Sequence, residues 1–380
     1  MDLVITPRSS DRVVAADPVV VAGPSVASPP PLARWQRALA DAIRDPAELC
    51  RILGIDAAVA GPAAGFPLLV PRGFVARMRP GDPRDPLLLQ VLPVGAESQP
   101  TVGFSPDPLA EAEAIAAPGL VRKYQGRALV LLTGGCAVNC RYCFRREFPY
   151  AEHGAGGFPT AAIEAIAADP TLREVILSGG DPLLVDDARL AAVVAALDAV
   201  PHLERLRIHT RLPIVLPERV TDGLVAGLRS TRLARVVVLH ANHPAELDDT
   251  VAAAAARLAG AGALLLNQAV LLAGVNDSVA TLAALSARLV AIGVLPYYLH
   301  LLDRVRGAAH FEVGEAEARR LLRGLQESQS GYAVPRLVRE QPGEPSKVWI
   351  HPAPAPAAAS PAAAGVEPSI GHTDPGRGGS

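Results

Sequence analysis

From residue 127 onward the chain alternates short apolar runs with longer amphipathic stretches. The runs fall at 129–132, 175–177, 206–208, 236–239, 264–270 and 295–299. Each is short and mainly apolar, as in a buried strand, with Arg207 inside the third and Asn267-Gln268 inside the fifth. Between them lie helical patterns over 160–168, 188–200, 218–229, 246–258 and 279–292, with 315–327 after the last run. Repeated strand–helix units on this scale predict an α/β fold, a parallel sheet with crossover helices. Six such units, rather than the eight of a closed barrel, predict a partial (β/α)6 barrel over residues 123–351.

The pattern before residue 123 is different. Residues 35–53 read as a helix with Leu39, Ala42 and Ile43 on one side, interrupted at Pro46. Proline-punctuated segments follow, so 32–122 is expected as a mainly helical N-terminal extension of short helices and turns. Cys50 lies on an apolar side there and reads as a buried structural thiol. Residues 1–31 and the Pro/Ala/Gly-rich 352–380 show no periodicity and are expected to be disordered.

Composition narrows the partners. The 380 residues carry a formal net charge of −2, which gives no electrostatic footprint for nucleic acid. The start of the chain lacks a basic segment followed by an apolar one, so no secretory signal is expected. The most apolar stretch, near 251–274, is broken by Arg257, Asn267 and Gln268 and does not suit a membrane span. A cytoplasmic protein is the expectation.

Polar residues gather where the predicted strands end. Ser178-Gly179-Gly180-Asp181-Pro182 follows the second run, and His209-Thr210-Arg211 the third. His240-Ala241-Asn242-His243 follows the fourth, Asn267-Gln268 lies in the fifth, and His300 then Asp303 follow the sixth. Any one of these is an ordinary turn former. Together they predict one shared cavity at the carboxyl ends of the strands, where such folds bind ligands.

The first strand end carries three of the chain's four cysteines, Cys136, Cys140 and Cys143. A [4Fe–4S] cluster is normally held by four thiolates. Three would leave one iron open to a ligand that is not protein. Zinc, with His153 or Cys50 as fourth ligand, is the competing reading, although structural zinc sites usually show two paired clusters of ligands and only one is present. The C-x3-C-x2-C spacing resembles the radical S-adenosylmethionine (radical SAM) superfamily. In that setting Ser178, Gly179, Gly180 and Asp181 resemble the glycine-rich motif that holds the amino end of S-adenosylmethionine. Alone, Asp181 reads as a helix cap.

The remaining candidates are cations and carboxylates. Arg145 and Arg146 follow the cysteine loop, where a guanidinium fork suits a substrate carboxylate. Lys123, Arg127 and Arg211 are candidates for a phosphate pocket. Lys347 is one of two lysines in the chain, the other being Lys123. Lysine forms Schiff bases and arginine does not, so Lys347 makes a covalent aldehyde cofactor, pyridoxal phosphate, plausible.

Longer stretches carry a closer resemblance. VRKYQGRALVLLTGGCAVNCRYCFRREFPYAE, SGGDPL, RLRIHTRLPIVLP, NQAVLLAGVNDS, PYYLHLLDRVRGAAHF and PGEPSK resemble the lysine 2,3-aminomutases, and among them the branch that supplies (R)-β-lysine for modifying elongation factor P. The resemblance implies an isomerase with a [4Fe–4S] cluster on Cys136, Cys140 and Cys143, S-adenosylmethionine, and pyridoxal phosphate on Lys347. It implies that Lys123, Arg127 and Arg211 lie at the cofactor phosphate and that Arg145 binds the α-carboxylate of L-lysine. Asp277 and Glu340 would take its ε-ammonium. It also implies an electron donor of flavodoxin or ferredoxin type. Two features depart from the better-known clostridial pattern. Glu340 stands where that group has aspartate, and Gly-Glu-Pro-Ser replaces its glycine-rich run before the lysine. The cysteine-bearing C-terminal extension of that group is absent, so its mode of oligomerisation does not carry over. The same chemistry on glutamate, or an idle iron–sulfur protein, are the rival readings.

Overall fold

All six apolar runs become strands, and their order in space is their order in sequence. The computed structural model describes residues 32–63, 65–154 and 156–354, so the expectations for 1–31 and for the tail beyond 354 lie outside the described residues. The strands are β1 (Ile115–Ala117), β2 (Leu120–Val121), β3 (Arg127–Thr133), β4 (Glu174–Gly179) and β5 (Arg205–Thr210). β6 (Ala234–Leu239), β7 (Leu264–Val270), β8 (Leu295–His300), β9 (Arg336–Arg339) and β10 (Val348–Trp349) complete the set. They form one ten-stranded sheet in the order β1 to β10, with β1 and β10 at its free edges. β3 to β9 run parallel, while β1, β2 and β10 pair antiparallel at the margins.

The partial barrel expected from sequence is therefore present, with one parallel strand more than the six predicted. β9 is only four residues long, RLVR, too short to show a period. It belongs to the sheet because the helix Glu315–Ser328 returns the chain beside β8.

Polar side chains fix where the crossover helices start. Asp186, Thr221, Asp248 and Ser278 each accept a hydrogen bond from a backbone N–H in the first turn of the helix that follows, each cap being worth about 1 kcal/mol. Two helices begin later than the periodicity suggests. Glu246 lies in a 3-10 turn, Pro244–Glu246, and is fully buried. Its carboxylate serves the site, and the helix Asp249–Gly260 waits for the cap at Asp248. Likewise Pro217–Arg219 forms a 3-10 turn ahead of the helix Asp222–Arg229.

The N-terminal segment is helical in short pieces, as expected. Its α-helices, Arg34–Ala40, Pro46–Leu53, Arg72–Val75 and Pro86–Leu89, span 7, 8, 4 and 4 residues, with turns between them. Pro46 and Pro86 open two of them, Pro71 precedes a third, and Gly54, at φ +66°, ends the second. It is not a separate body. Trp35, Leu49, Phe74 and Leu88 share one buried cluster with Leu132, Ile208 and Leu265 of the barrel, and from Arg34 onward the chain forms one compact unit. No helix among the described residues is long and apolar enough to cross a membrane.

Backbone bonds between two strand ends anchor the site. Gly180 donates its N–H to the Thr133 carbonyl at 2.7 Å, and Asp181 donates to the Gly135 carbonyl at 2.8 Å. A Cβ on Gly180 would stand 2.1 Å from the Gly135 oxygen, and one on Gly179, at φ +122°, 2.3 Å from the Thr133 oxygen. Only glycine permits that approach. Gly180→Ala is expected to destabilise the fold by about 1–3 kcal/mol, the usual scale for forcing extra volume into a packed site. Gly73→Ala, in an exposed helix position with nothing within 4 Å of the new methyl, should be neutral or stabilise by up to about 1 kcal/mol. Denaturant melts of the two variants check the contrast.

Candidate active site

A cavity of about 540 Å³ opens at the carboxyl ends of the parallel strands, within the range that holds a cofactor and a small substrate. The cysteine loop, the Ser178–Asp181 loop, Arg145, Lys123 and Lys347 all line it.

Cys136, Cys140 and Cys143 follow β3 in a loop of tight turns, with the Cys143 N–H on the Cys140 carbonyl at 3.0 Å and Arg146 N–H on that of Cys143 at 3.1 Å. Burial pushes the Cys136 thiol well above its ordinary pKa and Cys143 up to about 11, with the neighbouring thiols adding to it. Such thiols lose their protons to a bound metal centre. Among the described residues, no three His, Cys, Asp or Glu side chains converge where a single metal ion would sit. Cys50 is buried in the core in the helix Pro46–Leu53 and does not line the cavity. Among the described residues a single zinc ion thus has no ligand set.

The segment before the barrel holds this loop in place. Glu97, buried at 4% exposure, accepts from Arg141 Nε at 2.8 Å and from Arg146 Nη2 at 2.7 Å. Arg141 Nη1 donates to the Phe66 carbonyl at 2.7 Å. Both arginines flank the cysteines in sequence.

Arg211 lies elsewhere than expected. Its guanidinium contacts Cys140 Sγ at 2.8 Å and also meets Tyr142 Oη, Gln90 Oε1 at 2.8 Å and Glu246 Oε2 at 3.0 Å. No contact joins it to Lys123 or Arg127, so it belongs to the cluster corner rather than to a shared phosphate pocket. The cause is local. Asp181 accepts from the backbone N–H groups of Arg211 at 2.7 Å and Leu212 at 3.1 Å and from Thr210 Oγ1 at 2.7 Å, which fixes the turn after β5. Asp181 also caps Leu183 N–H. Its carboxylate is thus used to hold loops together, and the Gly179–Gly180 backbone is the part of the motif open to a ligand.

Asp277 is also misplaced by the sequence reading. It is exposed and accepts from Gly274 N–H at 3.0 Å, closing a turn, and it does not line the cavity. Asp303, after β8, does line it, with its carboxyl raised to about 7 by burial and by the charge of Glu340. In the sequence Asp303 stands at a strand end with no further signal of a role.

The remaining cavity charges form an alternating chain. Arg145 Nη2 donates to Glu111 Oε1 at 2.9 Å, and its Nε bonds Glu111 Oε2 at 2.5 Å. Lys123 Nζ lies 3.2 Å from Glu111 Oε1 and 3.0 Å from Glu340 Oε1. Lys347 Nζ in turn pairs with Glu340 Oε2. Arg127 stacks over the Tyr124 ring, 4.5 Å from its centre. Burial works against charge on Glu340, but Lys347 and Lys123 outweigh it and hold the carboxyl down at about 2. The seven-residue spacing of Glu340 and Lys347 follows from hairpin register. β9 and β10 pair Arg339 with Val348 and Val338 with Trp349, which sets the next pair outward opposite one another.

Several polar atoms in the cavity await a partner. His209 Nε2, His240 Nε2, His300 Nε2 and Gln268 Oε1 are buried without one. Burial lowers all three imidazoles, His240 to about 4, so they are neutral near pH 7. Orphaned buried polar groups on this scale signal an absent polar ligand. With the glycine cradle beside the cysteine loop, they fit S-adenosylmethionine, while Lys347, Lys123 and Arg127 fit pyridoxal phosphate.

The chain is similar to known proteins along most of its length. The model of a 4Fe-4S single cluster domain matches residues 123–204, which span the cysteine loop and the Ser178–Asp181 turn. The L-lysine 2,3-aminomutase of Escherichia coli (strain K12) is 52% identical over 82% of this chain and 93% of its own length. That of Haemophilus influenzae is 47% identical over 82% and 94%. The Clostridium subterminale enzyme of the same name is 38% identical over 73% of this chain and 67% of its own. On that similarity the chain belongs to the L-lysine 2,3-aminomutase family, isomerases of the radical SAM type that use a [4Fe–4S] cluster and S-adenosylmethionine.

Proposed function

We propose that the protein converts L-lysine to β-lysine, the (R) form, for modification of elongation factor P, with pyridoxal phosphate held on Lys347. The observation that carries the substrate assignment is the sorting of charge in the cavity. Arg145 stands at one end of the ion-pair chain, Glu340 lies toward the other beside the terminal Lys347, and Asp303 lines the same cavity. An amino acid with a carboxylate at one end and an ammonium at the other matches both. Leaving a buried ammonium unpaired would cost several kcal/mol. The elongation factor branch and the (R) product rest on the resemblance of the sequence motifs.

When bound, the cluster and S-adenosylmethionine supply the radical that abstracts a substrate hydrogen, and pyridoxal phosphate supplies delocalisation for the nitrogen migration. The chain's residues do the positioning. Cys136, Cys140 and Cys143 would hold the cluster, fed by a reductant of flavodoxin or ferredoxin type. The Ser178–Gly180 backbone would seat S-adenosylmethionine beside it. Lys123 and Arg127 would take the cofactor phosphate, and Arg145 the substrate carboxylate. Glu340 and Asp303 would orient the side-chain ammonium, and the buried walls keep water from the reacting carbons.

Anaerobic assay of the reconstituted protein with lysine and glutamate in parallel should give β-lysine and no β-glutamate, and chiral analysis should give the (R) product. β-Glutamate as the main product would overturn the substrate assignment. Lys347→Ala should abolish turnover and the pyridoxal absorbance together, and retention of either refutes the role of Lys347.

Asp303 must be ionised to pair with an ammonium. Its raised pKa places that ionisation near neutrality, so kcat/KM for lysine should fall as pH drops through about 7. Asp303→Asn should remove that acid limb and raise KM by about tenfold to a hundredfold, the scale of one charge-assisted hydrogen bond. A pH–rate profile of both proteins checks it.

A further inference from the structure

Glu111 lies before β1, in a stretch without any sequence signature, yet it sits at the centre of the cavity's charge chain. It is 3% exposed. Its two oxygens grip the Nε–Nη2 edge of the Arg145 guanidinium, at 2.5 and 2.9 Å. The same Oε1 lies 3.2 Å from Lys123 Nζ. Arg145 Nη1 donates to Ser178 Oγ at 3.0 Å and to the Gly179 carbonyl at 3.1 Å. The guanidinium is therefore fixed on one edge by a carboxylate and at Nη1 by the glycine-rich loop. What remains for a ligand is the second N–H of Nη2.

We propose that Glu111 is a positioning residue that aims Arg145 at the substrate α-carboxylate and sets its spacing from Lys123. This rests on the reading of Arg145 as the carboxylate anchor. A buried arginine held at Nε, Nη1 and Nη2 presents its remaining N–H in a single direction, and a charge-assisted bond to a carboxylate oxygen forms well only along that direction. Glu111 also separates two buried cations. Without it Arg145 and Lys123 would face each other across the gap, and the arginine would be free to turn. Displacement of Glu111 by substrate is the less favourable alternative, because it would leave a buried carboxylate with Lys123 as its sole counter-ion.

The test compares equilibrium binding of L-lysine and of L-lysinamide, which lacks the carboxylate, to the holoenzyme reconstituted with cluster, S-adenosylmethionine and pyridoxal phosphate. Wild type should prefer lysine. Glu111→Gln and Glu111→Asp should shrink that preference at least tenfold, by weakening lysine and leaving lysinamide unchanged, and should raise KM more than they lower kcat. Glu111→Asp keeps the charge and shortens the arm, so its effect separates aim from charge. An unchanged preference overturns the proposal. So do equal losses for both ligands, or variants that do not fold, because either makes Glu111 merely structural. A wild-type protein that does not distinguish lysine from lysinamide instead refutes Arg145 as anchor, and the proposal with it.

Discussion

Charge buried at the mouth of the barrel has to be paired, and that requirement organises the site. Arg145, Glu111, Lys123, Glu340 and Lys347 alternate in sign and touch in sequence across the cavity. Each member is costly alone, because desolvating an ion forfeits several kcal/mol that only a close counter-ion restores. The five come from the pre-barrel segment, the cysteine loop and the final hairpin. Pairing them therefore draws the beginning, middle and end of the barrel around one volume.

That gives the N-terminal segment a function that its lack of a motif conceals. Gln90, Glu97 and Glu111 are all nearly or fully buried, and each meets an arginine of the barrel. Gln90 and Glu246 take Arg211, Glu97 takes Arg141 and Arg146, and Glu111 takes Arg145. Three of these arginines lie within or just after the cysteine loop. The loop has little regular structure of its own, so its shape is imposed from outside by carboxylates of an earlier segment. Substitutions in that segment would thus act on the cluster at a distance.

What could be read in the sequence was what is contiguous in it. The strands were legible because burial on both faces writes continuous apolar runs, and the cysteine loop and Gly179–Gly180 because their chemistry sits within a few residues. Glu97 and Glu111 were not, since their partners lie 44 and 34 residues away and a lone glutamate carries no local signal. Asp277 has its expected role from the family resemblance alone, and no local pattern says where its side chain stands. In the fold, Asn276 bonds Leu272 N–H and the Asn242 and Val270 carbonyls, folding the loop back and leaving Asp277 to close a surface turn. Arg211 failed for a similar reason, because Asp181 fixes its backbone and sends its side chain to Cys140 and Glu246. β9 was missed because four residues are too few to establish a period.

The same pairing rule explains why the site selects an amino acid with a cationic side chain. Glu340 is balanced by Lys347 and Lys123, while Asp303 is pushed up by burial and by Glu340. If Lys347 gives up its ammonium charge to bind an aldehyde, Glu340 loses its closest counter-ion, and two carboxylates then face the substrate with too little positive charge between them. A lysine ε-ammonium restores the balance and favours ionisation of Asp303. A glutamate side chain would instead bring a third anion to the same corner, where each added like charge is strongly opposed at low dielectric. On the proposed role of Lys347, selectivity is a matter of neutralising the deficit left when that lysine binds an aldehyde, and the hairpin that sets Glu340 and Lys347 opposite one another supplies the carboxylate.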